Sequence, residues 1–440
     1  MNGLDHLKAE IDAIPRISRI GRIVRLDRGL VSVNGLSDIA SPGDLVELGP
    51  RGSALLGEVL GVDAAEIAVM TDVGGDGLTL GQPVVHRGGG EVAPDSSWIG
   101  RVIDPFGEPL DGRPLLRGLE PLPVRRPPPN AHDRRAMGQR LETGLAVFNS
   151  FLPIARGQRI GLFAGAGVGK STLLGRLTRG IEADVVVISL IGERGRELRE
   201  FIDRILGPAG MERTVVVAAT SDQPALVRRR CGWTAAAVAE YFRDQGRQVL
   251  LLADSLTRFA EAHREIALAA GETASLRGYP PSTAAMIAGL CERAGPGERF
   301  HGDITAIFTV LVAGSDMDEP VADMVRGVLD GHVVLDRRIA ERGRFPAVDL
   351  LRSVSRALPD AASEEENALL ARARALLGHY EKAELMVQAG LYTAGSDPEL
   401  DIAIRLWPLL DAFLAESEPG SAPDSFARLA EILRLAGAIT

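Results

Sequence analysis

Between residues 20 and 87 the apolar positions come in short alternating segments: GRIVRL, GLVSVNG, DLVEL, ALLGEVLGV and EIAVMTD. Gly, Pro and Asp separate them, which predicts an all-β unit, a small barrel or sandwich. A Gly/Pro-rich passage follows, with WIGRVIDPFGEPLDGR at 98–113 and PLPVRRPPPN at 121–130. Its prolines prevent helix and central strand, so it predicts a linker or entry segment. From about 131 to 350, buried apolar runs alternate with amphipathic stretches. The runs at 159–163, 184–191, 214–219, 249–253 and 304–312 predict strands of a largely parallel sheet with helices on both faces. Beyond about 357 the pattern is helical throughout. At the N-terminus, Leu4, Leu7, Ile11 and Ile14 recur on one helical face, which suits docking on the chain's own body or on a partner helix. These shifts divide the chain at 1–19, 20–92, 93–130, 131–356 and 357–440.

A chain of 440 residues is long for one core, in keeping with several domains. The net charge of −10 and aromatic content of 4% give no reason to expect nucleic acid or an acidic membrane surface as a partner. Cys231 and Cys291 lack metal-type spacing and read as small buried hydrophobes in a reducing compartment. No apolar run approaches the length of a membrane span, and the first residues lack the basic-then-apolar pattern of a signal peptide.

The chemistry concentrates in IGLFAGAGVGKSTLL, residues 160–174, which reads as strand, glycine-rich turn and helix start. Gly165, Ala166, Gly167, Val168 and Gly169 form a loop whose backbone N–H groups can cradle phosphates. Lys170 can reach β- and γ-phosphates, the Ser171 hydroxyl can ligate Mg²⁺, and Thr172 continues the helix start. One departure is Ala164, where the strict pattern has Gly. Asp254 ends the apolar run 249–253 and fits a metal-associated carboxylate, or alternatively a helix N-cap. Glu193 and Arg194 end another run and could polarise water and stabilise phosphoryl charge, or form a surface ion pair. Arg258, one helical turn after Asp254, is a weaker candidate for the arginine role. Phe345, in RFPAVD, suits base stacking or ordinary packing. No sequence rule says where Arg356, in DLLRSVSRAL, points its side chain.

Together FAGAGVGKSTLLG, SLIGERGRELREFI, ATSDQPALVRRRCGWTAAAVAEYFRDQGRQVLLLADSLTRFAEAHREI, RGYPPS and DGHVVLDR resemble the ATPases of type III protein export. These are relatives of the catalytic subunits of rotary ATP synthases, and the flagellar members are the nearest in pattern. The resemblance runs from about 21 to 414. It implies an α/β fold: a RecA-like P-loop core with an N-terminal β-barrel and a C-terminal helical domain. It implies ATP and Mg²⁺ at Lys170, Ser171 and Asp254, with Glu193 as catalytic base and Arg194 and Arg258 on the phosphate side. Phe345 would meet the adenine, and Arg356 would be an arginine finger given to a neighbouring subunit.

The implied assembly is a homohexamer, cytoplasmic and peripheral at the inner face of the membrane. Its implied partners are a stator-like regulatory protein at the N-terminal helix, a central-stalk protein, chaperone–cargo complexes and the membrane export gate, with no nucleic acid. Two departures stand out. TAAMIAGLCERAG after RGYPPS lacks the usual Phe and Pro-Leu pair, and QAGLYTAGSDPELD lacks the acidic run of ATP synthase subunits, which favours export over energy conversion. The alternatives are an injectisome ATPase, a ring RNA translocase and a rotary ATPase subunit. Having both Glu193 and Arg356 on one polypeptide favours a ring of equivalent sites.

Overall fold

The computed structural model describes residues 3–12, 14, 17–27, 30–50, 52, 54–71, 76–275, 278–313, 317–417 and 420–439. Arg277 of the RGYPPS motif lies outside the described residues.

The alternating segments form six strands: β1 (Ile20–Asp27), β2 (Leu30–Asn34), β3 (Leu45–Leu48), β4 (Leu55–Val62), β5 (Glu66–Thr71) and β6 (Pro83–Gly88). They close into an antiparallel barrel in the order β1-β2-β5-β4-β3-β6, which decides between barrel and sandwich. Ile23, Val31, Val33, Val46, Leu48, Val59, Ile67, Val69 and Val84 point inward, one face of each alternating run.

The passage at 93–130 does more than link. A two-residue strand pair, β7 (Glu91–Val92) and β9 (Leu122–Pro123), closes one loop. Between them β8 (Val102–Ile103) joins the edge of the main sheet. Trp98 is buried and donates through Nε1 to Leu116 O, while Arg101 grips Asp111 through two nitrogens. The prolines do exclude a central strand, but a short edge strand needs few ladder bonds.

The main sheet adds β10 (Arg159–Ala164), β11 (Val185–Glu193), β12 (Thr214–Thr220), β13 (Val249–Asp254), β14 (Ile304–Leu311), β15 (Gly331–Leu335) and β16 (Val348–Ser355). The order is β16-β15-β10-β14-β13-β11-β12-β8, parallel except for β16, which runs antiparallel to β15. The five runs expected from sequence are β10 to β14. β15 and β16 were not legible, because one is short and the other alternates polar with apolar residues at an edge.

Both faces of the sheet are apolar. In β11, Val186, Ile188 and Leu190 face one core, and Val185, Val187 and Ile191 face the other. The first core includes helix α2 (Lys170–Gly180) and extends without interruption into the C-terminal helices. The second includes α3 (Ala225–Asp244), α4 (Leu256–Ala269) and α5 (Ser282–Cys291), where Cys231 and Cys291 are fully buried. The C-terminal helices are α6 (Glu364–Gln388), α7 (Pro398–Ala415) and α8 (Ala422–Leu435). Among the described residues no helix is long and apolar enough to cross a membrane.

The N-terminal helix α1 spans Gly3–Asp12. It touches the body through His6, whose Nδ1–H donates to Arg117 O at 2.9 Å. Leu7, Ile11 and Ile14 are exposed, so this part of the stripe does not dock on the chain itself. The side chain of Leu4 lies outside the description.

A buried ion pair joins barrel to core. Arg229 Nη2 on α3 donates to Glu58 Oε1 on β4 at 2.6 Å, and the guanidinium sits 4.8 Å from the Trp233 ring centroid. Burial, and then the Arg229 charge, push His263 down to about 4. His263 is therefore neutral at physiological pH, and its Nδ1 can face Arg229 Nη1 at 3.3 Å as an acceptor. Removing one partner of such a pair strands the other charge, at about 3–5 kcal/mol. Arg229→Met is expected to lower the urea midpoint strongly, and adding Glu58→Gln should recover part of the loss. Equal midpoints for Arg229→Met and wild type would show that this joint carries no stability.

Candidate active site

The C-terminal ends of β10, β13 and β11 lie along one edge of the sheet, with β14 between β10 and β13. Because these strands are parallel, whatever follows each of them opens onto the same crevice. The phosphate-loop candidate follows β10. Gly167 and Gly169 have φ of 77° and 86°, which requires glycine, and Gly169 caps helix α2. The exposed N–H groups of that helix terminus are suited to an anion. Ala164 is no obstacle to the turn. It is the last residue of β10, paired with Leu311 and Leu335 in extended backbone, before the turn begins.

Lys170 opens α2, and its Nζ lies 2.5 Å from Asp254 Oδ1 and 3.9 Å from Glu193 Oε1. Asp254 ends β13 and is buried. It is not the helix cap: Ser255 caps α4, accepting from Arg258 N–H. The same Asp254 oxygen accepts from Thr309 Oγ1 at 2.7 Å. Thr309, on β14, was missed in the sequence because a threonine within ITAIFTVL reads as an ordinary strand residue. Only the neighbouring strand register shows that it fixes the carboxylate.

Glu193 ends β11, and Leu190 on that strand is level with Asp254. Ser171, Glu193, Glu197 and Asp254 line a cavity of about 240 Å³, with Leu198, Phe201 and Ile205 as apolar walls. Burial and the Asp254 charge push Glu193 up to about 7, opposed by Lys170 and helped by Glu197. A carboxylate poised there can take a proton from water near neutral pH. Glu197 was not singled out in the sequence, though it lies only four residues after Glu193.

Arg194 and Arg258 are not directed into this cavity. The guanidinium of Arg194 donates to Glu197 at 3.0 Å on a side chain 79% exposed. Arg258 pairs with Glu261 at 3.0 Å, while its aliphatic stem lies against Gly192. In this arrangement Arg194 forms a surface ion pair, the alternative that the sequence left open.

Phe345 lies in the loop between β15 and β16. Its ring covers the last glycine of the phosphate loop: a Cβ on Gly169 would come within 3.1 Å of Phe345 Cδ1. Phe345 is 44% exposed, which leaves it accessible to a flat group at the rim of the loop.

Arg356 sits at the opposite end of the sheet. Because β16 is antiparallel, Ser355 pairs with Gly331 at the start of β15. Arg356 N–H donates to Asp330 O, and Asp330 N–H donates to Arg159 O at the start of β10. The length of β10, about 16 Å, separates that point from the phosphate loop. The exposed Arg356 side chain cannot reach the crevice of its own chain.

The oxygen donors Ser171 and Asp254 suit a hard cation. Among the described residues no group of three or more His, Cys, Asp or Glu could hold a metal by itself. Mg²⁺ is usually held by one or two carboxylates together with substrate phosphates, a donor set that Ser171 and Asp254 can begin.

Residues 144–355 match the ATP synthase alpha/beta family, nucleotide-binding domain. Residues 362–431 match the T3SS EscN ATPase C-terminal domain. The flagellum-specific ATP synthase of Caulobacter vibrioides is 44% identical over 438 residues, covering 97% of this chain and 99% of that one. The SPI-2 type 3 secretion system ATPase of Salmonella typhimurium is 47% identical over 364 residues, covering 82% and 83%. Among solved structures, the assembled ATPase EscN of the enteropathogenic E. coli type III secretion system aligns with TM-score 0.87 at 36% identity, over 94% of this chain and 100% of that one. EscN in complex with its central stalk EscO aligns with TM-score 0.84 at 36% identity, over the same 94% and 100%.

Proposed function

Because this chain belongs to the ATP synthase alpha/beta family, and within it to the type III export ATPases, we propose that ATP hydrolysis at Lys170, Asp254 and Glu193 energises flagellar protein export by a homohexameric ring. The observation that carries the reading is the convergence of those three side chains beside the glycine loop. Lys170 and the N–H groups of the loop hold the β- and γ-phosphates. Ser171 and Asp254 hold Mg²⁺, which when bound neutralises phosphate charge. Glu193 takes a proton from the attacking water. Phe345 stacks on the adenine. Arg356 enters the site of the next subunit and stabilises the transition-state charge there. Arg194 and Arg258 would act on the phosphates only after leaving their glutamate partners.

The assembled EscN structure supports a ring, and the EscO complex supports a stalk partner. On this chain the exposed Leu385 and Met386 in the last turn of α6, with Leu391 just beyond it, would meet a stalk. The exposed stripe of α1 would take a stator-like regulatory protein. Chaperone–cargo complexes and the export gate would act on the assembled ring, held in the cytoplasm at the inner face of the membrane.

A phosphate-release assay tests the proposal. Turnover should need Mg²⁺, rise in specific rate with protein concentration as rings form, and be indifferent to RNA. A many-fold stimulation by RNA would favour a translocase, and no turnover at any concentration would favour a non-catalytic subunit. The SPI-2 relative keeps an injectisome role as the second reading. Restored swimming of a strain lacking its flagellar export ATPase supports the first; restored effector secretion alone supports the second.

A further inference from the structure

The residue before Phe345 does work that the nucleotide site alone does not explain. Arg344 is buried in the loop between β15 and β16. Its Nη1 donates to Pro346 O at 3.0 Å and its Nη2 to Val348 O at 2.7 Å. One guanidinium thus braces the backbone just after Phe345. The remaining nitrogen, Nε, lies 2.9 Å from Asp411 Oδ1 on α7. The loop bearing the aromatic ring thus meets α7 through a buried ion pair that is not aligned as a hydrogen bond.

Other contacts at this joint are looser. Arg342 approaches Asp411 at 3.8 Å and Glu384 at 3.9 Å, and lies over the Trp407 ring at 5.4 Å. Beside them is a cavity of about 390 Å³ whose lining includes Arg342, Arg344, Asp349, Tyr380, Trp407 and Asp411. A joint with that much open space leaves the helices room to shift against the loop. Burial pushes the Arg344 guanidinium below its ordinary pKa, and Asp411 opposes the shift. Drawing Asp411 away would leave a buried cation unpaired, a costly state. The loop must then follow the helix or give up its bracing.

We propose that Arg344 is a positioning residue through which Asp411 on α7 holds the Phe345 ring over the phosphate loop, so that the C-terminal helices set how tightly the base is bound. The inference rests on the reading of Phe345 as the group that meets the adenine. It adds a route by which movement of the helical region reaches the nucleotide without touching the phosphates.

The test measures inhibition constants of two competitors of ATP hydrolysis, ADP and inorganic tripolyphosphate, on full-length protein. Tripolyphosphate reads the phosphate loop without a base. Asp411→Asn is expected to raise the ADP constant roughly three- to ten-fold, the range of coupled neighbouring groups. The tripolyphosphate constant should not move. Asp411→Ala should do the same, and so should Arg344→Lys, which keeps the charge but cannot reach both carbonyls and Asp411 at once. Phe345→Ala should raise the ADP constant selectively, and Asp411→Asn added to it should cost nothing further.

Equal losses for both competitors, additive losses in the double variant, or an unchanged ADP constant in Asp411→Asn would each overturn the proposal. If Phe345→Ala alone leaves ADP binding unchanged, the adenine reading fails and takes the proposal with it. If Phe345→Ala is selective and Asp411→Asn is silent, the adenine reading stands and only the link to α7 is lost.

Discussion

Glu193→Gln should lower ATP turnover by about 10²–10⁴-fold, the usual contribution of a positioned general base, while nucleotide still binds. The substitution keeps shape and volume in a cavity of about 240 Å³ and removes only the capacity to take a proton. Lys170, Asp254 and the glycine loop keep their contacts, so a fluorescent ATP analogue should bind the variant about as tightly as wild type. The environment of Glu193 also sets a pH signature. Burial and Asp254 place it at about 7, so the base form gains population as pH rises through that value. Wild-type kcat/KM should climb between roughly pH 6 and 8 and then flatten, with that rise missing from the residual activity of Glu193→Gln.

The same shift has a stability consequence of definite sign. Unfolded, the group titrates near 4.5; folded, near 7. In that window the folded chain keeps a proton that the unfolded chain has released, so stability falls as pH rises through it and levels off above. Glu193→Gln lacks this dependence, so the urea midpoint of wild type should drop relative to the variant across the window. Undiminished turnover by Glu193→Gln would remove Glu193 from the chemistry whatever the stability data showed.

What the sequence revealed and what it hid follow from local against non-local causes. The phosphate loop was legible because its requirements are local: glycines for positive φ, then a lysine at a helix start. Ala164 raised a doubt only because the motif does not say where the strand ends; the register puts it inside β10. The five inner strands were legible because burial on both faces makes them continuously apolar. β16 escaped notice because its burial alternates at the sheet edge, and with it went the position of Arg356. Thr309 and Arg344 were hidden for a different reason. Each acts through a partner far away in the chain, Asp254 and Asp411, and no spacing rule connects them. For Arg194 the sequence offered two fates, and the exposed pair with Glu197 is the one the folded chain adopts.

Arg356→Ala should reduce turnover by about 10³–10⁵-fold, the contribution of an arginine finger. That corresponds to roughly 4–7 kcal/mol of barrier. Geometry favours action between subunits. Arg356 lies at the start of β10 and the phosphate loop at its end, so no rotamer of the side chain brings it to its own Lys170. The defect should therefore be complemented. In a ring built from Arg356→Ala and Glu193→Gln chains, an interface is complete where an intact Glu193 from the first meets an intact Arg356 from the second. Random mixing in equal amounts makes about one interface in four complete, because each interface joins two different surfaces of neighbouring chains. Two chains that are each nearly inactive should then regain up to about a quarter of wild-type turnover, with a maximum at equal ratio. A finger acting within its own chain gives a different curve. Each variant would then lack one essential group at every site, and activity would stay flat at all ratios. A flat curve in rings shown to be mixed would refute the trans assignment, and it would require β16 to move its end across the sheet before hydrolysis.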